Sequence, residues 1–121
     1  MMTLKEKSEE NWKAGIDMYC KHKYNIAANR LYYALFQAAK GYALEQGKMK
    51  DEDKNAHFEV HRRISTFVTI KNSTRLYGQM KKFREIADYR PFSVCPNKFS
   101  QAFIADVEKM YKELISIISG G

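Results

Sequence analysis

A run of apolar residues over positions 31–36, LYYALF, constrains the fold of this chain more than any other feature. Apolar residues on all sides of a helix are typical of a helix that is buried by several neighbours. The helical pattern around this run extends over about 25–46 and ends before Gly47, a residue suited to stop a helix. We therefore predict a central helix around which the rest of the chain packs.

Four further segments show apolar residues at helical spacing: about 4–23, 55–70, 74–89 and 99–118. Only two prolines and six glycines interrupt the chain, and the charged stretch 48–54 predicts a loop. Short connections between helices favour antiparallel neighbours. The predicted fold is all-α, an up-and-down bundle of four to five antiparallel helices in a single domain over residues 1–121.

The sequence also predicts the ends of the fourth helix and the core residues of the first and third helices. Asn72 and its neighbours are expected to form a turn and to cap the fourth helix, and Pro91 ends that helix. The residues predicted to face the core from the first and third helices are Trp12, Ile16, Tyr19, Cys20, Phe58, His61, Ile64, Phe67 and Val68.

The sequence lacks the patterns of a membrane span, a zinc knuckle and a cofactor site. No stretch approaches the roughly 20 apolar residues that a membrane span needs, and the first residues are charged, so we expect a cytoplasmic protein. Cys20 and Cys95 form no CxxC pair, which excludes a zinc knuckle. The P-loop, Rossmann and HExxH patterns are missing, so no cofactor is predicted.

The net charge of +7 is concentrated in residues 61–90, where eight basic residues face only Glu85 and Asp88. A clustered basic surface attracts polyanions through counterion release, and nucleic acid is the natural ligand. The alternative is a solvated surface that aids solubility only. The eight residues are Arg62, Arg63, Lys71, Arg75, Lys81, Lys82, Arg84 and Arg90.

Three motifs resemble those of one large branch of the HEPN family. Residues 29–39, NRLYYALFQAA, are similar to its A-x-R-A-Y-Y-A-x-F-H-A-A helix. Residues 57–67, HFEVHRRISTF, resemble its H-x-x-V-x-x-x-F segment, and residues 84–89, REIADY, resemble its R-x-x-A-D-Y helix end. Together the motifs occur in the family's order and cover roughly residues 8–115.

The resemblance implies a homodimeric bundle that works beside a minimal nucleotidyltransferase in a toxin–antitoxin pair. Some relatives are modified by that partner, which makes the Tyr89 hydroxyl a candidate for modification. Many members are endoribonucleases whose signature is an Arg followed four to six residues later by a His. Here no His follows Arg84, because His22, His57 and His61 all lie upstream. The resemblance therefore supports the fold and not the nuclease activity.

Arg84, Asp88 and Tyr89 are the candidate catalytic residues. Arg84 and Asp88 are four residues apart on one helix, so their side chains can meet. One interpretation is a half-buried ion pair that orients two helices, and the other is an arginine held for a phosphate. Tyr89 is a poor replacement for the histidine, since a tyrosine ordinarily titrates near pH 10.

Other polar residues yield weaker candidates. Arg30 and Asn29 interrupt the apolar second helix, and a buried Arg30 would need a carboxylate such as Asp88 or Glu85, or would share a polar groove with Arg84. His57 and His61 are spaced like a metal pair, but two ligands make a poor site and no metal is predicted. The predicted nucleic-acid-binding residues are Arg84, Arg90, Lys81 and Arg30.

Three functions remain open. The first is a dimeric module that binds RNA or a nucleotide, a nucleotidyltransferase partner, or both, without the nuclease signature. The second is an endoribonuclease toxin that uses Arg84 with Tyr89. The third is a scaffold whose basic helices contact a partner protein. A small nucleotidyltransferase encoded next to this chain would favour the first.

Overall fold

The computed structural model describes residues 1–50 and 54–118. Its helices occupy 74% of these residues, among which there is no strand, and the predicted all-α bundle is confirmed. Part of the predicted loop over 48–54 lies outside the described residues. The five helices are α1 (Leu4–Cys20), α2 (Tyr24–Glu45), α3 (Ala56–Phe67), α4 (Ser73–Tyr89) and α5 (Gln101–Ile117).

Helix α2 lies at the centre of the bundle, as its sequence predicts. It contacts each of the other four helices, and Leu31 and Leu35 are fully buried. It packs tightly on α1 at Gly15, where an added Cβ would lie 2.7 Å from Leu31 Cγ. Because α3 and α4 pack against α2 and against each other, polar residues of all three helices can share one region.

The helix ends follow from local chemistry. The Thr3 hydroxyl accepts a hydrogen bond from the Glu6 backbone N–H at 3.1 Å, and the Glu6 carboxylate accepts one from the Thr3 backbone N–H, which caps α1. Gly47 has a φ of +67° directly after α2, and Arg90 is extended before Pro91. Asn72 lies in the predicted turn and precedes α4 with a φ of +63°, but its side chain makes no capping hydrogen bond, so the predicted side-chain cap was wrong.

Two predicted core residues are exposed. Cys20 is the last residue of α1, where the helix borders an open groove beside α5 rather than the core. Phe58 is 60% exposed. Helix α3 buries Val60 and Ile64, and Phe58 projects from a different side of this helix. None of the described helices combines the length and the apolar character that crossing a membrane requires.

Candidate functional site

The guanidinium group of Arg84 on α4 is surrounded by three tyrosines. Its Nη2 donates hydrogen bonds to the hydroxyls of Tyr33 at 2.8 Å and Tyr89 at 3.3 Å. The Arg84 Cζ lies 5.5 Å from the ring centroid of Tyr32 and 5.3 Å from those of Tyr33 and Tyr89, within cation–π range. These contacts hold the guanidinium in one position.

Asp88 joins this group to α2. Its Oδ2 lies 3.0 Å from Arg84 Nε, an ion pair whose alignment is not that of a hydrogen bond. Asn29 Nδ2 lies 3.2 Å and 3.1 Å from the two carboxylate oxygens of Asp88 and donates to them. The carboxylate therefore bridges α2 and α4. We call Arg84, Asp88, Asn29, Tyr32, Tyr33 and Tyr89 the Arg84 cluster.

The prediction that Arg30 is buried and paired with a carboxylate was wrong. Arg30 is exposed, and its Nη1 contacts Asn11 Oδ1 at 3.5 Å. Its neighbour Asn29 takes the place beside Asp88, since successive residues on a helix point about 100° apart. Arg30 still lies at the rim of the cluster, where it lines a shallow pocket with Asn29 and Asp88.

The remaining predicted residues differ in exposure. Tyr89 is 71% exposed, and Arg90, the residue after α4, is also exposed. Lys81 is half-buried and lies one turn before Arg84 on α4. The structure thus brings Arg84, Asp88 and Tyr89 together, with Lys81, Arg90 and Arg30 around them.

A histidine from a third helix also reaches this region. His57 on α3 stacks on Phe36 with ring centroids 3.9 Å apart, and its Nδ1 lies 2.5 Å from the Tyr32 hydroxyl. Tyr32 therefore contacts both His57 and Arg84. The sequence offered no signal for this proximity, because His57 precedes Arg84 by a whole helix and a turn.

Hydrogen bonding and electrostatics both act against protonation of His57. The buried Tyr77 hydroxyl donates to Tyr32 at 3.5 Å, and we therefore assign Tyr32 as the donor to His57 Nδ1, which places the imidazole proton on Nε2. Burial, and then the charges of Arg84, Lys81 and Lys40, lower the pKa of His57. Burial also raises the pKa of Tyr32 to about 12, which keeps that hydroxyl protonated.

His57 and His61, whose spacing is that of a metal pair, have separate partners. His61 Nε2 lies 3.1 Å from the backbone oxygen of Thr74, whereas His57 Nδ1 bonds to Tyr32. Across residues 1–50 and 54–118, no group of three His, Cys, Asp or Glu side chains could hold a metal ion.

The lowered pKa of His57 predicts a pH-dependent stability. As the pH falls through the ordinary histidine pKa of about 6.5, the unfolded chain binds a proton before the folded chain does. The contribution of His57 is therefore fully present above that pH and is lost below it. We expect thermal unfolding to show a steeper loss of Tm from pH 7.5 to 5.5 in the wild type than in His57→Gln. Equal slopes would contradict this assignment.

The fold and the cluster define a small all-α protein that holds one arginine between its central helix and a late helix. The sequence matches the HEPN domain family over residues 1–118, and the chain belongs to that family. No curated protein and no solved structure matches it.

Proposed function

We propose that this chain is a cytoplasmic HEPN module that binds single-stranded RNA or a nucleotide through Arg84. It acts as a homodimer, with a nucleotidyltransferase partner, in a toxin–antitoxin-type system. The observation that carries this proposal is the held guanidinium of Arg84 in the most basic part of the chain.

A fixed arginine suits a phosphate for two reasons. Holding the side chain in advance removes most of the entropy loss that binding would otherwise cost. Both hydrogen bonds that Arg84 makes to the described residues come from Nη2, which leaves Nη1 for a phosphate oxygen. Burial acts to lower the pKa of Arg84, but Tyr33, Tyr89 and Asp88 raise it, so the positive charge persists.

The homodimer is supported by apolar side chains at the edge of the cluster. Ile26, Tyr89 and Phe92 are 49%, 71% and 60% exposed. Ile26 lines the shallow pocket that contains Asn29 and Asp88, and Tyr89 contacts Arg84 directly. An interface through this face would cover these side chains and would bring two Arg84 clusters together.

We expect RNA binding to weaken steeply with salt. Each neutralised phosphate contributes about −0.7 to the slope of log K against log salt for single strands, so four to six contacts would give about −3 to −4. Fluorescence anisotropy with labelled oligouridylate from 50 to 300 mM salt measures this slope. A flat response, or no binding at low salt, would contradict the proposal.

Variants on α4 distinguish RNA binding at Arg84 from attraction to the overall positive charge. Arg84→Ala should weaken binding roughly 10- to 150-fold, since hydrogen bonds to charged groups contribute about 1.5–3 kcal/mol. Arg75→Ala is the matched control, because it removes one exposed positive charge from the same helix. Arg84→Lys keeps the positive charge but loses the planar guanidinium that can donate two parallel hydrogen bonds, so it should bind RNA weakly. Equal losses in Arg75→Ala and Arg84→Ala would mean that the ligand contacts only diffuse charge.

An endoribonuclease is the second candidate function. The notable observation in its favour is His57, which lies against the same tyrosines as Arg84 although no histidine follows Arg84 in sequence. In this alternative, Arg84 holds the scissile phosphate, and Tyr89 or His57 transfers a proton.

A further inference from the structure

We propose that the phosphate held by Arg84 also contacts His57, and that His57 takes up a proton when this phosphate binds. The inference rests on the proposed RNA-binding function and adds to it a second anchoring group and a coupling to pH. It assigns to α3 a binding role that the sequence motifs around Arg84 do not contain.

The ring of Tyr33 contacts both Arg84 and His57. Its centroid lies 5.3 Å from Arg84 Cζ and 6.0 Å from the centroid of the His57 ring. The Tyr33 ring is perpendicular to the imidazole, and its hydroxyl accepts from Arg84 Nη2. We infer that an anion bonded to the guanidinium beside this ring also contacts the imidazole.

The helical spacing of α2 and α4 places two lysines near His57. Lys81 precedes Arg84 by three residues on α4, and Lys40 follows Phe36, which stacks on His57, by four residues on α2. Both lysines are half-buried. The groups that face His57 are Tyr32, Tyr33, Phe36 and Lys40 from α2, with Lys81 and Arg84 from α4.

The charges that act on the imidazole from the described residues are all positive, and after burial they oppose its protonation. A bound phosphate would offset the three cations and would favour the imidazolium, as a nearby opposite charge does for any titratable group. The proton comes from solvent and binds Nδ1. The Tyr32 oxygen then accepts from Nδ1–H, and the Tyr32 O–H loses His57 as its acceptor, a cost that the bound phosphate has to offset.

Proton uptake makes the affinity depend on pH, because a ligand that raises a pKa binds more tightly when the group is protonated. Oligouridylate is a suitable probe, since each phosphodiester carries one negative charge at every pH between 5.5 and 8. We expect its affinity to rise as the pH falls from 8 to 5.5, towards a limit of about tenfold that is reached below the pKa of the free His57 and that corresponds to a nearby charge that moves the pKa by about one unit. His57→Gln should abolish this rise.

His61→Gln is the matched control. His61 lies one turn further along α3, and its Nε2 contacts a backbone oxygen outside the cluster. This variant should keep the pH dependence of the wild type. If His61→Gln loses the dependence and His57→Gln retains it, the inference is wrong.

The direct measurement requires no variant that must fold. The chain has three histidines, whose imidazole signals can be titrated by NMR with and without oligouridylate. We expect the pKa of His57 to rise on binding. RNA binding with an unchanged His57 pKa would overturn this inference and leave the proposed function intact. Absence of RNA binding at low salt would overturn both.

Discussion

Gly15→Ala should be less stable than Gly41→Ala by about 1–3 kcal/mol, the usual cost of overpacking. Both glycines are buried within helices, so alanine brings the same gain in helix propensity at each. They differ in the space available. A Cβ on Gly15 would lie 2.6 Å from Leu31 Cδ2, whereas a Cβ on Gly41 would lie 3.4 Å from its nearest neighbour, Leu4 Cβ.

Urea unfolding of the two variants measures this difference, and the shared propensity term cancels. Leu31 has little room to move away, because it is fully buried and its backbone N would lie 3.1 Å from the new Cβ. We expect Gly41→Ala to be as stable as the wild type or slightly more stable. If Gly15→Ala is equally stable, the contact of α1 with α2 is looser than the distances indicate.

The features predicted correctly from the sequence are those that local patterns determine. Helix α2 was located by its all-round apolar run, and the end of α4 by Pro91. The contact between Arg84 and Asp88 follows from their spacing alone, since residues four apart on a helix are neighbours.

The features that were missed depend on how helices are rotated and packed. Which of Asn29 and Arg30 faces Asp88 is set by the rotation of α2 against α4, and that rotation reflects packing of the whole bundle. Phe58 shows the same limit, because one residue of displacement moves a side chain from core to solvent. His57 meets the cluster only through tertiary packing of α3, which no spacing in the sequence encodes.

Purified protein is expected to cleave RNA feebly or not at all. In a nuclease of the arginine–histidine type, the arginine steadies the phosphate and the histidine moves protons. General acid–base catalysis ordinarily contributes about 10²–10⁴ in rate. Arg84 cannot act as a base, because its charge is maintained by Tyr33 and Asp88. Nδ1 of His57 bonds to the Tyr32 hydroxyl in the free protein and, by our proposal, already carries a proton once phosphate is bound, so His57 supplies no general base.

Incubation of the protein with labelled single-stranded RNA tests this expectation, with Arg84→Ala and His57→Gln in parallel. Cleavage that persists unchanged in Arg84→Ala would come from a contaminating nuclease. Brisk cleavage by the wild type that disappears in Arg84→Ala would contradict the prediction and make the ribonuclease the leading function. In that case His57→Gln decides the proton-transfer group: a loss of about 10²-fold or more would assign it to His57. Full activity in His57→Gln would leave Tyr89, whose hydroxyl lies 3.3 Å from Arg84 Nη2, as the residue to replace next by phenylalanine.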